Sequence, residues 1–259
     1  MLLSIITPTY KRVKYLKKNF IDINLLYSTF KSFEWIIVAE KKDKATLNFL
    51  KKNKKKFIKI IIGNQKSVEQ AFENGVKKSK GKYINFHGDD DFFNIKNLGV
   101  INKKLFTKRS NWIVFYGDYI NDQFKIIRKT ISFFKRFFIN NHRIIDLSLI
   151  NYIMSPSVFV LRKIFIKMGG FGSTKRSGSD YLLWMRLKKK YRLKLIKKRL
   201  TFAMITQKTI SGSFDLEKYF VLFKEMQINN KSGLLGKILI SLSILLIIFY
   251  NFVSKKIFK

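Results

Sequence analysis

The fold is decided around one stretch, Tyr83-Ile84-Asn85-Phe86-His87-Gly88-Asp89-Asp90-Asp91-Phe92, in which a short apolar segment runs directly into three carboxylates. Such a cluster needs a neighbouring cation. At the end of a strand it is typical of a site for Mg²⁺ or Mn²⁺, because these hard cations bind carboxylate oxygens and keep positions open for substrate phosphates. Taken alone, the stretch fits a polar turn equally well, since Asp and Gly are favoured in turns.

The composition describes a folded, strongly basic protein. Its 259 residues can form one domain, or one domain with an appendage, and a hydrophobic content of 47% excludes disorder for most of the chain. Lys and Arg number 53 against 16 Asp and Glu, which gives a formal net charge of +37. Such a surface favours nucleic acid, an anionic membrane or phosphorylated substrates as partners. The alternative is a composition bias, because Lys, Ile, Asn and Phe are all abundant.

Several classes of site are excluded by composition. The chain has no Cys, so it has neither a disulfide framework nor a cysteine zinc site, and its two His are too few for a histidine metal cage. The first residues lack a basic segment of the kind that begins a cleavable signal, and they run at once into Pro8. The catalytic part is therefore expected in the cytoplasm.

Short apolar runs alternate with helical patterns through the first half of the chain. Strands are predicted at residues 2–6, 34–38, 57–62 and 82–86, and helices at residues 14–27, 44–52 and 68–78. This alternation predicts an α/β fold with a mostly parallel sheet covered by helices on both faces. Ligands bind such sheets at the carboxyl ends of the strands, which is where Pro8, Glu40 and Asp89 fall.

An ordered set of motifs resembles one enzyme family. The first half carries Ser4-Ile5-Ile6-Thr7-Pro8-Thr9-Tyr10, Glu34-Trp35-Ile36-Ile37-Val38, Ala71-Phe72-Glu73-Asn74-Gly75, Gly81-Lys82-Tyr83-Ile84 and Gly88-Asp89-Asp90. These resemble the nucleotide-sugar half of family 2 glycosyltransferases. The second half carries Tyr116-Gly117-Asp118, Met168-Gly169-Gly170-Phe171 and the stretch 179–187, which resemble the acceptor half of bacterial members that build polysaccharides. The order of the set is more specific than any single motif.

The resemblance covers roughly residues 2–213. It implies a Rossmann-like GT-A domain over residues 1–213, with a nucleotide-sugar half at 1–92 and an acceptor half at 93–213. Residues 214–259 are left as a helical, membrane-associating tail. The implied activity is an inverting transfer of one sugar from a nucleoside diphosphate donor, a UDP-sugar above all, to a hydroxyl of a glycan.

The resemblance also assigns a Mn²⁺ or Mg²⁺ site. In the family the ligands form an Asp-x-Asp motif whose last Asp is the main ligand, and Asp89 stands at that position. The first Asp is replaced by His87, which can contact ribose or phosphate but cannot copy a carboxylate. Asp90 and Asp91 are therefore candidates to share the metal.

Asp180 is the candidate general base of this inverting reaction. An inverting transfer needs a base that takes the acceptor proton on the sugar face opposite the leaving group. Asp180 matches the family's base at the start of a helix. Its alternative role is structural, because acidic residues stabilise the positive end of the helix dipole.

Donor and acceptor contacts follow from the same resemblance. Pro8, Thr9 and Tyr10 match the loop that holds the nucleotide base. Glu40 replaces the usual carboxylate with a shift of one residue, and Lys66 can meet the diphosphate; for both, a solvated surface role is an equal alternative.

The acceptor candidates are Ser155 and Ser157. They lie in the loop at residues 152–157, where relatives often carry a His-Gln pair. The alternative is a turn fixed by Pro156 at the entry to a strand.

The tail predicts membrane contact. Residues 234–253 are nearly all apolar, and the uncharged run at 238–253 has 16 residues, against about 20 for a comfortable span. Insertion into one leaflet is favoured, with a single span and a core or oligomer helix as alternatives. Basic residues add attraction to anionic lipids, so a cytoplasmic enzyme at the inner face of the membrane, acting on a lipid-linked acceptor, is expected.

Two other functions remain open at this stage. A catalytically silent, membrane-bound scaffold is suggested by His87 and Ala39, which depart from the family pattern. A nucleic-acid-binding protein is suggested by charge alone, but the lysines are scattered and no recognised nucleic-acid motif accompanies them, so no specific nucleic acid is expected as a partner.

Overall fold

The computed structural model describes residues 1–107, 110–172 and 178–205, together with nine single positions between 223 and 245. The strands are β1 (Leu3–Thr9), β2 (Phe33–Glu40), β3 (Ile58–Gly63), β4 (Tyr83–Phe86), β5 (Asp91–Phe93), β6 (Trp112–Ile120), β7 (Ile126–Ile127), β8 (Val158–Leu161) and β9 (Leu193–Met204). The helices are α1 (Val13–Thr29), α2 (Lys44–Lys52), α3 (Val68–Lys78), α4 (Lys103–Thr107), α5 (Lys129–Asn140), α6 (Arg162–Lys167) and α7 (Ser179–Lys190).

Within the described residues, nine strands form one mixed sheet in the order β3-β2-β1-β4-β8-β6-β9-β5, with β7 paired to β6. The α/β prediction is confirmed, and strands β1 to β4 are parallel as predicted. The second half differs, because β8 is antiparallel to both β4 and β6, and β5 is antiparallel to β9. The sheet is therefore mixed rather than mostly parallel.

The sheet curls between β4 and β5. Only the four residues 87–90 separate these strands, yet β5 lies four strands further along the sheet. A flat sheet would place them about 19 Å apart, which exceeds the roughly 18 Å that this connection spans when fully extended. The curl brings the second half of the chain towards the carboxyl ends of β1, β2 and β4.

Local sequence explains the first helices. Helices α2 and α3 have the predicted bounds, and each begins with a side-chain cap: Asp43 accepts a hydrogen bond from the Thr46 amide, and Ser67 accepts one from the Gln70 amide. Helix α3 packs closely on β1, because a Cβ at Gly75 would lie 2.3 Å from Ile6. This contact explains the glycine in the Ala-Phe-Glu-Asn-Gly motif.

One core runs through both halves of the described chain. A single cluster of buried apolar side chains extends from Leu3 in β1 to Leu200 in β9, so the halves at 1–92 and 93–213 share their interior. The predicted boundary at residue 213 and most of the predicted tail at 214–259 lie outside the described residues. Among the residues that are described, no helix is both long and apolar enough to cross a membrane.

Helix α1 buries two polar side chains, Asn19 and Asp22, within the same face as its apolar residues. The Asp22 carboxylate accepts a hydrogen bond of 3.1 Å from the Phe93 amide, at the end of β5. Burial raises the pKa of Asp22 to about 6, although the charge of Lys18 opposes this shift. The Asp22 carboxylate thus holds β5 by a hydrogen bond, while its burial makes its ionisation unfavourable.

Substituting Asp22→Asn keeps an acceptor for the Phe93 amide and removes the ionisable group. Because the pKa of Asp22 is raised on folding, its ionisation costs stability as the pH rises through about 6. We expect the variant to gain about 2 kcal/mol relative to the wild type between pH 4.5 and pH 7.5. Urea unfolding of both proteins at the two pH values measures this, and a difference that does not change with pH would contradict it.

Candidate active site

A cleft of about 590 Å³ opens at the carboxyl ends of β1, β2 and β4. This volume lies within the range of sites for small molecules. Both halves of the chain contribute to its walls, and the lining includes Pro8, Thr9, Tyr10, Arg12, Glu40, Asp89, Asp90, Asp91, Tyr119, Lys135, Ser155 and Asp180. The curl of the sheet therefore places the candidate metal ligands and the candidate base in one cavity.

Asp89 and Asp90 share a single cationic partner. The Arg12 guanidinium Nη1 lies 3.2 Å from Asp89 Oδ1 and 2.6 Å from Asp90 Oδ2. Asp91 also reaches the cleft, but its carboxylate accepts a hydrogen bond of 2.8 Å from the Gly88 amide. The three predicted ligands are thus arranged as a pair around one cation and a third carboxylate that closes a turn.

Burial makes this acidic stretch hard to ionise. Asp89 is only 4% exposed, and its burial and the charge of Asp90 raise its pKa to about 7, although Arg12 opposes the shift. Burial, together with the charge of Asp90, also raises the pKa of Asp91 well above its usual range. A further cation would stabilise the ionised forms.

His87 lies behind the acidic stretch and not in the cleft. It is fully buried, its ring stacks on Phe93 at 4.4 Å, and burial lowers its pKa to about 3, so the ring is neutral. Its Nε2 lies 3.0 Å from Asn19 Oδ1, and Asn19 Nδ2 donates a hydrogen bond of 2.8 Å to the Asp89 carbonyl. This placement differs from the predicted contact with ribose or phosphate, because the ring packs inward and supports the backbone.

The carboxylate pair fits a hard divalent cation in its chemistry. Two carboxylates already converge on one positive group, and both line an open cleft. In the part of the chain that the structure describes, no group of three or more His, Cys, Asp or Glu is arranged to hold a metal ion. A cation bound here would therefore need further ligands from a substrate, as Mg²⁺ and Mn²⁺ commonly take from phosphates.

Most of the predicted donor residues line the cleft. Pro8, Thr9 and Tyr10 follow β1, and Glu40 ends β2 with its carboxylate accepting a hydrogen bond of 2.8 Å from the Gln65 amide. Lys66 differs, because its side chain is exposed and does not contribute to the lining. The exposed side chain of Lys66 fits a solvated surface role better than contact with the diphosphate.

Asp180 lines the same cleft from the first turn of α7. Its Oδ1 accepts a hydrogen bond of 2.8 Å from the Tyr181 amide, and the Ser155 hydroxyl donates a short hydrogen bond to its Oδ2. Trp184 and Leu187 are buried and fix the helix against the core. The structure thus fixes the position of this carboxylate through both oxygens.

The two predicted acceptor serines have different environments. Ser155 lines the cleft beside Asp180. Ser157 is fully buried, and its hydroxyl lies 2.5 Å from that of Thr201. Ser157 therefore connects its loop to β9, and its side chain does not reach an acceptor.

Four lining or supporting residues were missed by the sequence analysis: Arg12, Asn19, Tyr119 and Lys135. Burial lowers the pKa of Lys135 to about 8, against the opposing charge of Asp180, and raises the pKa of Tyr119 to about 12. Asn19 did leave a signal, because it is a polar residue within the apolar stripe of α1. The other three lie on loops, strands or helices whose position depends on the curl of the sheet.

Comparisons with known proteins agree with this architecture. A model of glycosyl transferase family 2 matches residues 4–169. A sequence comparison with curated proteins gives no match. The mixed sheet and flanking helices are of the GT-A type.

Solved structures share the fold at low sequence identity. A fragment of S. aureus TarS has a TM-score of 0.63 and 16% identity, covering 88% of this chain and 65% of the fragment. The same fragment in complex with UDP-GlcNAc has a TM-score of 0.64 and 16% identity, covering 98% and 73%. The mannosyltransferase PcManGT from Pyrobaculum calidifontis, in complex with GDP-Man and Mn²⁺, has a TM-score of 0.59 and 12% identity, covering 92% and 68%. In the first of these comparisons the chain thus spans slightly less than two thirds of the TarS fragment.

Substituting Arg12→Met tests the electrostatics of the acidic stretch. The guanidinium stabilises ionised Asp89, so its contribution is present above the carboxylate's pKa of about 7 and is lost as the pH falls below it. We expect a loss of about 2 kcal/mol in unfolding free energy at pH 8 and a much smaller loss at pH 5. Millimolar Mn²⁺ should restore part of the loss at pH 8.

The matched control is Arg192→Met, which removes an exposed guanidinium outside the cleft lining. Thermal and urea unfolding are measured for both variants at the two pH values, with and without Mn²⁺. Equal losses at pH 5 and pH 8 would show that the contribution of Arg12 does not depend on the ionisation of Asp89.

Proposed function

The chain belongs to glycosyl transferase family 2, and we propose that it transfers a sugar from a nucleoside diphosphate donor to an acceptor hydroxyl with inversion at the anomeric carbon. One observation carries the proposal. A single cleft is lined by Asp89 and Asp90 from the first half of the chain and by Asp180 from the second half. An inverting transfer needs both a site for the leaving diphosphate and a base on the opposite side of the sugar.

The donor side is assigned to the carboxyl ends of the parallel strands. Pro8, Thr9 and Tyr10 are the proposed contacts of the nucleotide base, and they line the same cleft as Glu40. TarS and PcManGT were solved with UDP, UDP-GlcNAc and GDP-Man, which supports a nucleotide-sugar donor for this chain. A UDP-sugar is our first choice.

Asp89 and Asp90 are the proposed ligands of Mn²⁺ or Mg²⁺. The cation would supply Lewis-acid stabilisation of the diphosphate as negative charge develops on it. Arg12 already holds positive charge between the two carboxylates and borders the cleft. Its guanidinium can also bind phosphate oxygens, which suits it to the same leaving group.

Asp180 is the proposed general base. The acceptor oxygen forms a bond to the anomeric carbon, the bond from that carbon to the diphosphate oxygen breaks, and the acceptor proton passes to the Asp180 carboxylate. Ser155 and the Tyr181 amide hold this carboxylate in one orientation. Ser155 is therefore a positioning residue for the base, which refines its predicted role as an acceptor contact.

Lys135 supplies a positive charge near the carboxylate of Asp180, the proposed base. It lines the cleft, its Nζ donates a hydrogen bond of 2.5 Å to the Asn151 carbonyl, and its positive charge acts on Asp180. A cation there stabilises the ionised carboxylate before the transfer. The charge decreases as the pH rises through about 8, the pKa of Lys135.

The acceptor and the location of the enzyme are also part of the proposal. We assign a lipid-linked glycan of an envelope polysaccharide as acceptor, and residues 214–259 as a segment that holds a cytoplasmic enzyme at the inner face of the membrane. The uncharged run at 238–253 supports this. So do four exposed apolar positions among the few that are described there: Leu234, Ile238, Leu242 and Leu245.

Substituting Asp89→Asn should abolish metal-dependent donor binding while the protein stays folded, because Asn keeps the shape of the side chain and removes its charge. We expect UDP-sugars with Mn²⁺ to raise the melting temperature of the wild type, since ligands that bind the folded state stabilise it. The variant should show no such rise.

A thermal-shift panel of UDP- and GDP-sugars with and without Mn²⁺ measures this effect. Asp122→Asn is the control, because Asp122 is exposed and lies outside the cleft. Unchanged Mn²⁺-dependent binding in folded Asp89→Asn would refute the assignment. Donor binding without any turnover in the wild type would instead favour a catalytically silent homologue.

Substituting Asp180→Asn should separate binding from chemistry. The amide cannot accept the acceptor proton, so we expect kcat for sugar transfer to fall by about 10²-fold or more while donor affinity is unchanged. Ser155→Ala should reduce kcat by a smaller factor, about tenfold, because it loosens the base without removing it. Near-wild-type transfer by Asp180→Asn would leave Asp180 as a helix-terminal residue only.

A further inference from the structure

Helix α5 carries its aromatic residues on the solvent side. Phe133, Phe134 and Phe137 are 59%, 49% and 51% exposed. With about 100° between successive residues, Phe137 lies at the centre of this face and the other two lie within about 60° of it. Neighbouring rings lie within contact range, with centroids 5.7 Å apart for Phe133 and Phe134. The three rings form one exposed apolar patch.

The opposite face of α5 is fixed to the protein by other side chains. Ser132 and Ile139 are buried, and Lys135 lines the cleft. Arg136 pairs with the buried Asp118 at 2.7 Å. A surface helix of a soluble protein normally turns its apolar side inward. Three phenylalanines on the outside of an anchored helix therefore need a partner, because isolated exposed apolar residues are ordinary but a cluster of this kind is not.

The surroundings of the patch are basic. Residues 123–145 contain no Asp or Glu and six Lys and Arg, of which four remain once Lys135 and Arg136 on the opposite face are set aside. Lys129 begins α5 and is exposed, and Arg143 and the 86% exposed Ile144 follow the helix. We call Phe133, Phe134 and Phe137, with Lys129 and Arg143, the α5 surface. It combines aromatic rings with positive charge, as helices that lie in a membrane interface do.

We propose that the α5 surface binds an anionic lipid bilayer. The phenylalanine rings enter the boundary between head groups and acyl chains, and Lys129 and Arg143 contact the anionic head groups. Charge decides between this partner and the alternatives. A second copy carries the same net charge of +37, and residues 206–259 contain more Lys than Asp and Glu, so both would bring like charges together. An anionic bilayer has the complementary charge.

A bilayer bound at the α5 surface would lie close to the cleft, because α5 also contributes to the cleft wall. Lys135 lines the cleft from one side of α5, and the phenylalanines leave the other side. The bilayer would then lie about one helix diameter, roughly 10 Å, from the acceptor side of the cleft. The proposal concerns a surface distinct from residues 214–259 and does not depend on the identity of the donor.

The absence of Cys allows a single reporter to test the surface in the full-length chain. Phe137→Cys is labelled with the environment-sensitive dye NBD and mixed with vesicles of phosphatidylcholine, with or without phosphatidylglycerol. Ile166→Cys, at a 52% exposed position on α6, is the control. We expect a blue shift and at least a twofold rise in emission at position 137 with anionic vesicles, quenched by spin-labelled lipid, and little change at position 166.

Other outcomes would overturn the proposal. An emission change at 137 that grows with protein concentration without lipid would indicate a second copy. A shielded dye at low concentration without lipid would indicate that another segment of the chain covers α5. No change with anionic vesicles, or equal changes at both positions, would exclude specific docking by this surface.

A set of matched substitutions measures the contribution of the rings. Phe133→Gln/Phe134→Gln/Phe137→Gln is compared with Ile62→Gln/Ile95→Gln/Ile166→Gln, which alters positions 55%, 46% and 52% exposed. We expect the first variant to lower the affinity for anionic vesicles about tenfold or more, and the second to leave it nearly unchanged. Equal effects would overturn the proposal. Nucleotide-sugar thermal shifts should persist in both, so failure here and failure of the proposed transfer can be told apart.

Discussion

The site depends on one constraint: the acidic residues 89–91 follow directly after the buried strand β4, and their charge must be stabilised there. Helix α1 and the residue before it supply three side chains: Arg12 pairs with Asp89 and Asp90, Asn19 binds the Asp89 carbonyl, and Asp22 binds the Phe93 amide at the end of β5. These contacts fix both ends of the segment between β4 and β5. Because β5 continues at the far edge of the sheet, the same segment determines the curl that brings the two walls of the cleft together.

The carboxylates of the acidic stretch are only partly stabilised in their ionised forms. Burial raises the pKa of Asp89 to about 7, and Arg12 offsets only part of the cost. Because the positive charge of Arg12 does not fully offset this cost, the site favours an added cation. Further positive charge would reduce the repulsion between the two ionised carboxylates. His87 contributes without charge: its neutral ring packs on Phe93 and contacts Asn19, so it supports the loop where a carboxylate would add a further buried negative charge.

The sequence predicted the helices and strands of the first half, and the strand ends that line the cleft, better than it predicted the direction of individual side chains. The bounds of α2 and α3 follow from local caps and periodicity, and the placement of Pro8, Glu40 and Asp89 at one edge follows from parallel strands. Whether a side chain at a strand end turns into the cleft depends on packing from distant elements. His87 turns inward onto α1 and Ser157 onto Thr201 for this reason. The antiparallel pairings of β8 with β4 and β6, and of β5 with β9, were missed because the sequence analysis placed no strand beyond residue 86.

Helix α5 lies between the cleft, which Lys135 lines, and an outer surface that carries three exposed phenylalanines, and an ion pair with the buried Asp118 anchors it. The buried Asp118 on β6 lies 2.7 Å from Arg136 on α5 and 2.6 Å from Arg199 on β9, and both guanidinium groups are partly exposed. A buried carboxylate with two guanidinium partners tolerates little rearrangement, since losing either partner leaves uncompensated charge. These contacts anchor the inner face of α5 to the sheet. If the α5 surface binds a bilayer as proposed, that contact would also restrain Lys135, which lines the cleft from the same helix.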